Sequence, residues 1–303
     1  MLPFFENLLS RLSNQPSFKQ FCHRDVNRLS RRKKSRLICM PNREMRLLHQ
    51  RMIYYLRNIL PRDQTTRLLR CAVGGRKGQS PLTNVKPHRP NRYFYLTDIK
   101  GAFASVQVDK MTAVLAALDT KLELAAAEKF LQQYFFTTAG CLATGAPASP
   151  DLFNLYVAYL VDQPLSACLV SRDIAYTRYI DDLTFSSPTV IDDDLRRQIR
   201  KIITAVGFVV NHQKSQVLDI KKGTIVINGI GLEDGGRVFV PRHFTHRLSG
   251  LLHLARQKKV KPEVVHGMMG IFLPVIKDQG TPNETERKIL REYGRFRKHQ
   301  PIR

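Results

Sequence analysis

The sequence predicts an α+β fold in which helices flank a mixed or antiparallel sheet. Helical and β-prone segments alternate along the chain, and some β-prone segments lie close enough together to form hairpins. Two adjacent acidic residues, Asp181 and Asp182, separate two β-prone runs, as at the tip of a hairpin. Upstream, an apolar strand over 92–98 ends in Asp98. We therefore expect three carboxylates at neighbouring strand ends.

The remaining elements follow from periodicity and from turn residues. Residues 1–35 are expected to be helical and basic, 36–60 to hold a short strand and a helix, and the Gly- and Pro-rich stretch 71–90 to form a loop. Further helices are predicted over 109–118, 122–136, 151–160 and 191–206, and again after Pro241. Further strands are predicted over 208–210, 224–227 and 237–240, with the last two forming one hairpin.

The charge of the chain indicates a polyanionic partner. Among its 303 residues are 49 Lys and Arg but only 25 Asp and Glu, which gives a net charge of +24. The basic residues are densest over 24–36, 67–92 and 287–303, a distribution typical of a groove that follows a nucleic-acid backbone. The sequence contains no apolar run of membrane-spanning length, so no membrane partner is expected. Five cysteines without metal-binding spacing favour reduced thiols and a cytoplasmic location.

The three acidic residues predict phosphoryl-transfer chemistry. A lone pair of aspartates at a turn is usually a solvated turn. Here Asp98 precedes the pair, and the Gly/Pro-rich segment 140–150 opens a helix between them. Carboxylate oxygens at strand ends can hold two Mg²⁺ ions, with Mn²⁺ as an alternative, and two such ions promote in-line displacement at a phosphate. We therefore predict a nucleotide polymerase with Asp98, Asp181 and Asp182 as catalytic residues and metal ligands.

The same residues closely resemble the motifs of reverse transcriptases, and among these the bacterial retron type, over approximately 36–245. Tyr179-Ile180-Asp181-Asp182 matches the YxDD box, and Asp98 with Phe103 matches the first catalytic box. Three other segments resemble the template-and-substrate box, the motif that follows YxDD, and the primer-grip hairpin: 144–150 with Asn154, 207–215, and 227–232. Asn84-Val85-Lys86-Pro87-His88 is similar to the retron NAxxH element, with Val85 in place of Ala. Ile227-Asn228-Gly229 stands where retron enzymes carry VTG.

The resemblance implies a right-hand polymerase fold made of four segments. These would be an N-terminal helical basic extension over 1–35, fingers over 36–90, a palm over 91–240 and a helical thumb over 241–303. It also implies an RNA-directed DNA polymerase that copies a structured non-coding partner RNA into DNA from dNTPs. By the same resemblance the enzyme would act in anti-phage defence with a separately encoded effector protein.

Roles for individual residues also come from the resemblance. The Ile99 carbonyl would assist the three aspartates as a metal ligand, and the Phe103 ring would exclude a ribose 2′-hydroxyl by steric overlap. The implied substrate-binding residues are Phe103, Gly145, Ala146, Pro147, Tyr179, Arg76, Lys77 and Lys214. The implied RNA-binding residues are Asn84, His88 and Arg247. Two questions stay open: Lys214 is either a charge partner for pyrophosphate or a solvated lysine, and Asn84 and His88 either touch RNA or tie a loop.

Other functions are compatible with parts of this pattern. A non-retron defence-associated or group II intron-like reverse transcriptase would share the same core motifs. An RNA-directed RNA polymerase is disfavoured by Phe103 and by YIDD where such enzymes carry GDD. A non-catalytic RNA-binding protein on a polymerase scaffold is disfavoured because all three carboxylates are present. Incorporation of labelled dNTP against NTP separates a reverse transcriptase from an RNA polymerase and from a non-catalytic protein.

Overall fold

The structure is a computed structural model that describes residues 2–26 and 33–298. Its strands are β1 (Phe18–Val26), β2 (Lys33–Pro41), β3 (Tyr93–Lys100), β4 (Ala175–Tyr179), β5 (Asp182–Ser187), β6 (Val209–Val210), β7 (Gln216–Asp219), β8 (Ile225–Ile227), β9 (Ile230–Leu232) and β10 (Val238–Phe239). Its α-helices are α1 (Leu2–Leu9), α2 (Arg43–Tyr54), α3 (Arg62–Leu68), α4 (Pro81–Val85), α5 (Val108–Leu118), α6 (Leu124–Tyr134), α7 (Ser149–Val157), α8 (Gln163–Leu169), α9 (Asp193–Ala205), α10 (Arg242–Arg256), α11 (Pro262–Gln279) and α12 (Glu284–Lys298). None of these helices is long and apolar enough to cross a membrane.

The central sheet is antiparallel and is built around β3. β5 pairs with one edge of β3 and β4 pairs with the outer edge of β5, while β7 and β6 follow one another along the opposite edge of β3. Because β3 is hydrogen-bonded on both sides, a residue at its end has a fixed backbone. The predicted α+β class with an antiparallel sheet is confirmed.

Polar caps begin two of the predicted helices. The Asn42 side chain accepts a hydrogen bond from the Met45 amide at 2.9 Å at the start of α2. The Asp192 carboxylate does the same for the Leu195 amide at 2.8 Å at the start of α9. Each cap satisfies an amide that has no partner within its helix. The helix predicted over 191–206 is confirmed as α9, whose apolar face is buried.

The apolar side chains of the described residues form two main clusters. The first lies between the central sheet and α1, α2 and α5–α9, with Phe153 and Phe185 fully buried at its centre. The second joins the three-stranded sheet β8–β9–β10 to α10–α12, with Phe272 and Ile289 fully buried. The C-terminal helices therefore share a core with strands that precede Pro241.

Two predicted elements differ from the structure. The helical character expected over 1–35 is wrong beyond α1, because β1 pairs with β2 along a continuous antiparallel register. Residues 27–32, within the first basic run, lie outside the described residues. The predicted hairpin between 224–227 and 237–240 is also wrong, because β9 intervenes and pairs with both β8 and β10. The turn that joins β8 to β9 is Asn228-Gly229, whose φ angles of 46° and 83° are both positive. Two-residue hairpin turns favour such angles.

Candidate active site

The three predicted acidic residues lie together at one end of the central sheet. Asp98 on β3 is directly opposite Asp182 on β5 in the antiparallel register. Asp181 occupies the turn between β4 and β5, so the predicted hairpin with acidic residues at its tip is confirmed. Asp98 is 5% exposed, and Asp182 is half-buried. The structure thus brings Asp98 together with Asp181 and Asp182, which follow it in the sequence by 83 and 84 positions.

Backbone hydrogen bonds hold these residues on the sheet. The Ile99 amide donates to the Asp181 carbonyl at 3.0 Å, which joins β3 to the turn. The Asn211 amide donates to the Asp98 carbonyl at 2.9 Å, which joins β3 to the segment after β6. Ile99 itself is buried. The carboxylates therefore project from a backbone that is bonded on both sides of Asp98.

Asp98 forms an ion pair with Lys214. The Lys214 ammonium lies 2.6 Å from Asp98 Oδ2, and the Asn211 amide group donates to the same oxygen at 3.4 Å. The hydrogen bond with Asp98 is the main cause of a raised pKa for Lys214. The other oxygen, Asp98 Oδ1, is buried and has no hydrogen-bond partner among the described residues. A buried carboxylate oxygen without a donor is costly unless a cation satisfies it.

Asp182 has a different environment. Its Oδ2 accepts a hydrogen bond from Asn228 Nδ2 at 2.9 Å, at the turn between β8 and β9. Burial and, after it, the nearby charge of Asp181 raise its pKa to about 6, while the charge of Lys214 opposes the change. Two carboxylates in one low-dielectric site disfavour each other's ionised forms. Added positive charge would therefore stabilise the ionised site.

The glycine-rich part of the segment 71–90 packs against the backbone of the candidate catalytic turn at Ile180. A Cβ on Gly74 would lie 2.6 Å from the Ile180 nitrogen and 2.8 Å from the Tyr179 carbonyl carbon. Arg76 is turned inward, where its Nη1 donates to the Leu69 and Ala72 carbonyls, each at 2.7 Å. Arg76 is half-buried and Lys77 is exposed, and substrate contact by both stays a prediction.

Close packing explains the small residues Gly145 and Ala146 in the segment 144–150. Ala146 is 2% exposed and lies in a buried cluster with Cys39 and Ala143. A Cβ on Gly145, whose φ is +92°, would lie 2.9 Å from a methyl carbon of Ile38 on β2. The prediction that Ala146 contacts substrate is corrected, because its methyl group faces the interior. Pro147 is half-buried beside it.

Two of the predicted substrate-binding residues, Phe103 and Tyr179, are aromatic. Phe103, just after β3, is half-buried and stacks on Phe153 with ring centroids 4.7 Å apart. Tyr179 ends β4, directly opposite Asp182 in the register, and burial followed by the charge of Asp182 raises its pKa. The stacking on Phe153 holds the Phe103 ring, and both residues are partly exposed.

The open question about Asn84 and His88 is answered by their burial, since both are 0% exposed. His88 bridges β4 and β5, with Nε2 2.7 Å from Thr177 Oγ1 and Nδ1 2.6 Å from Ser186 Oγ. Burial lowers its pKa to about 4. Asn84 Nδ2 donates to Asn228 Oδ1 at 2.6 Å. The predicted RNA contacts by Asn84 and His88 are corrected to internal ties, whereas Arg247 on α10 is exposed.

Several residues at the site carry contacts that the sequence did not predict. Asn228 joins Asp182 to Asn84, and Asn211 touches Asp98 through both backbone and side chain. Arg178, two residues before the turn, is fully buried against Asp162. The sequence signal that could have revealed Arg178 is a charged residue inside a β-prone run that also contains Tyr176 and Tyr179.

The predicted metal ions would need several oxygen ligands from the site. Among residues 2–26 and 33–298, no group of three or more His, Cys, Asp or Glu side chains is arranged to hold a metal ion. The chemistry of the site still fits a hard cation, because the carboxylates include the buried and unpartnered Asp98 Oδ1. In this arrangement the Lys214 ammonium supplies the positive charge beside Asp98. The two-metal ligand set stays a prediction.

Comparison with known proteins gives the class. Residues 24–257 match the family described as reverse transcriptase (RNA-dependent DNA polymerase), and the chain belongs to that family. Curated relatives of the chain include retron reverse transcriptases, as the motifs predict. The retron Ec86 reverse transcriptase of Escherichia coli is 30% identical over 184 residues, which are 60% of this chain and 54% of that protein. The retron Mx65 reverse transcriptase of Myxococcus xanthus is 28% identical over 247 residues, which are 76% and 56% of the two chains. The chain thus spans about half the length of these curated relatives.

Solved structures agree on the fold. The telomerase of Candida albicans, in complex with a TWJ fragment of telomeric RNA, aligns with a TM-score of 0.56 over 96% of this chain and 58% of that one, at 12% identity. The apo telomerase of Candida tropicalis aligns with a TM-score of 0.52 over 97% and 68%, at 11% identity. At such low identity the likeness concerns the fold alone. The predicted right-hand polymerase fold is confirmed.

Proposed function

We propose that this protein is an RNA-directed DNA polymerase of the retron type, which copies a structured partner RNA into DNA from dNTPs. The observation that carries the proposal is the placement of Asp98 and Asp182 opposite each other on β3 and β5, with Asp181 on the adjoining turn. Membership of the reverse transcriptase family supports the reaction class. Similarity to retron enzymes supports the type.

Two Mg²⁺ ions are the proposed cofactors, with Mn²⁺ as an alternative. Asp98, Asp181 and Asp182 would hold them, with the Ile99 carbonyl as a further ligand. Such ions supply activation of the attacking hydroxyl and neutralise the charge of the leaving group. Lys214 contributes a positive charge, as the metal ions would. Its side chain is 55% exposed, and its ammonium group forms an ion pair with Asp98. It is the proposed charge partner of the departing pyrophosphate.

Phe103 is the proposed selector of the sugar. It follows the end of β3 closely and stacks on Phe153, which fixes the plane of its ring. A fixed ring beside the acidic residues would overlap a ribose 2′-hydroxyl and leave room for a deoxyribose. Discrimination by overlap needs a ring that cannot turn away, and the stacking supplies that restraint.

Nucleic-acid binding is proposed for the basic surface, with Lys77 and Arg247 among its members. The net charge of +24 favours a polyanion, and α12 ends in a basic turn on an exposed face. We retain fingers over 36–90, a palm over 91–240 and a thumb over 241–303 as the proposed domains. A role in anti-phage defence, a separately encoded effector and a cytoplasmic location belong to the same proposal, supported by similarity to retron enzymes.

The test is primer extension on a structured RNA with labelled dNTP or NTP. Asp98→Ala and Asp181→Ala should abolish extension and leave RNA affinity nearly unchanged, because the carboxylates serve chemistry and the basic surface serves affinity. Asp173→Ala is the matched control, since Asp173 is exposed in the loop before β4. Extension by either active-site variant at the wild-type rate would refute the assignment.

The product identifies the type of enzyme. A branched RNA–DNA molecule that copurifies with the protein supports the retron assignment, and its sequence identifies the partner RNA. Linear or repetitive cDNA would instead place the protein with non-retron defence-associated or group II intron-like enzymes. Incorporation of NTP alone would indicate an RNA polymerase, and RNA binding without any incorporation would indicate a non-catalytic protein.

A further inference from the structure

Arg178 on β4 is a fully buried arginine, two residues before the candidate catalytic turn. Its side chain is 0% exposed and that of its partner Asp162 is 1% exposed. Burying two charges removes their hydration, and an apolar pair of similar volume is often at least as stable. Stability alone therefore does not account for a charged pair at this position.

The guanidinium group connects three parts of the chain. Nε donates to both oxygens of Asp162 at 3.0 Å, and Nη2 donates to Oδ2 at 2.8 Å. Nη1 donates to Asn154 Oδ1 and to the Ile180 carbonyl, each at 2.9 Å, and Nη2 also donates to the Asn154 carbonyl at 3.3 Å. All five N–H groups of Arg178 thus have acceptors, in a planar arrangement that lysine cannot reproduce.

One of these acceptors belongs to a strained residue. Ile180 has φ of 58°, in the left-handed region that a β-branched residue rarely adopts. Such a conformation persists only where the surroundings impose it. Arg178 holds the Ile180 carbonyl, the Ile99 amide holds the Asp181 carbonyl, and Gly74 packs against the backbone of the turn.

Asp162 in turn determines where Arg178 points. It lies at the end of a π-helical turn, Ala158–Asp162, which connects α7 to α8. Tyr176 also donates to Asp162 Oδ1, at 2.7 Å, so the carboxylate is held from two sides. The path from this π-turn to the catalytic turn therefore consists of Asp162, Arg178 and Ile180.

We propose that Arg178 is a positioning residue for DNA synthesis, which holds the Ile180–Asp181 turn in its strained form through the Ile180 carbonyl and is itself oriented by Asp162. The proposal rests on the polymerase function proposed above. Without the bond to Ile180 the turn would relax toward a commoner backbone conformation, and Asp181 and Asp182 would move from their places opposite Asp98. Rate would fall, whereas binding of primer–template would not.

The first variant removes the buried charges together. R178M/D162L/Y176F leaves no lone buried charge and no unpaired tyrosine hydroxyl, and Phe at 176 keeps the stacking on Phe185, whose centroid is 4.6 Å away. We expect kcat to fall about 100-fold while KM stays nearly constant. This kcat is calculated from the number of molecules that bind primer–template. The matched control is R197M/D194L, which removes an exposed ion pair on α9 and should leave kcat unchanged.

A second comparison separates position from stability. D162N leaves Arg178 with an unbalanced buried charge, so it should lower the Tm more than the triple variant does. It keeps the Arg178 bond to Ile180, so its kcat should fall less than that of the triple variant. R178K retains a buried cation but not the planar set of donors, and its kcat should fall as far as that of the triple variant.

The outcomes are distinct. If R178K or the folded triple variant retains kcat within threefold of wild type, Arg178 only supports the fold and the proposal is overturned. The same conclusion holds if kcat follows Tm across all the variants. If the wild-type protein itself incorporates no dNTP, the proposed polymerase function fails, which is a separate result.

Discussion

Replacing Gly74 with alanine would place a methyl group against the backbone of the candidate catalytic turn. The new Cβ would lie 2.6 Å from the Ile180 nitrogen and 2.8 Å from the Tyr179 carbonyl carbon. Both neighbours are main-chain atoms, so no side-chain rotation can relieve the contact. Gly74 does not have a positive φ, so the substitution adds a clash without adding unfavourable backbone dihedrals.

The size of the effect follows from the distances. Ordinary contacts of a Cβ begin at 3.4 Å, so the turn or the glycine segment must move by about 0.8 Å to accept a group now at 2.6 Å. A displacement of about 1 Å at a reacting centre lowers a rate by about 100-fold. Overpacking also lowers the free energy of unfolding, by about 1–3 kcal/mol. We therefore expect G74A to stay folded and to lose most of its extension rate.

The assay is single-turnover dNTP incorporation on a preannealed primer–template, with Tm measured in parallel. Gly250→Ala is the control, because Gly250 lies in α10, has no positive φ, and has no heavy atom within 4 Å of the new Cβ. It should keep the wild-type rate and gain up to about 1 kcal/mol of stability. A wild-type rate in G74A would show that the chemistry does not depend on the position of the turn.

Three further results are expected. Phe103→Val should raise NTP incorporation far more than it lowers dNTP incorporation, and unchanged selectivity would make Phe103 a packing residue. As the pH is lowered from 6.5 to 4, His88 should lower the free energy of unfolding by about 3 kcal/mol, because the unfolded histidine binds a proton that the buried one excludes. Urea titrations of H88Q should show a smaller decrease over the same pH range. An equal decrease would contradict the burial of His88 as the cause. The double variant Arg287→Glu/Arg291→Glu, on the exposed face of α12, should weaken RNA binding. The slope of log K against log salt should become shallower by about 0.7 for each single-strand phosphate that the protein no longer neutralises. The same charge reversal on α9 should change neither quantity.

The residues whose roles changed show where local patterns are insufficient. Asn84, His88 and Ala146 occur within motifs that resemble substrate or RNA contacts, yet all three are buried. Their side chains are compatible with either role, so only burial separates the two. The wrong hairpin prediction has a different cause: Asn228-Gly229 is a sufficient turn signal by itself, whereas the predicted hairpin places both residues inside one long loop.

The sequence by itself determined the family of this protein and the positions of its three acidic residues. Asp98, Asp181 and Asp182 stand at strand ends, and the strand period and turn residues that place them are local properties of a few neighbouring residues. The tertiary structure decided which groups surround them. Lys214 reaches Asp98 across 116 positions, and Asn84 reaches Asn228 across 144. Contacts over such separations depend on strand register and on the packing of helices. The whole fold determines both, because each is fixed by the free energies of burial and strand pairing summed over all the residues.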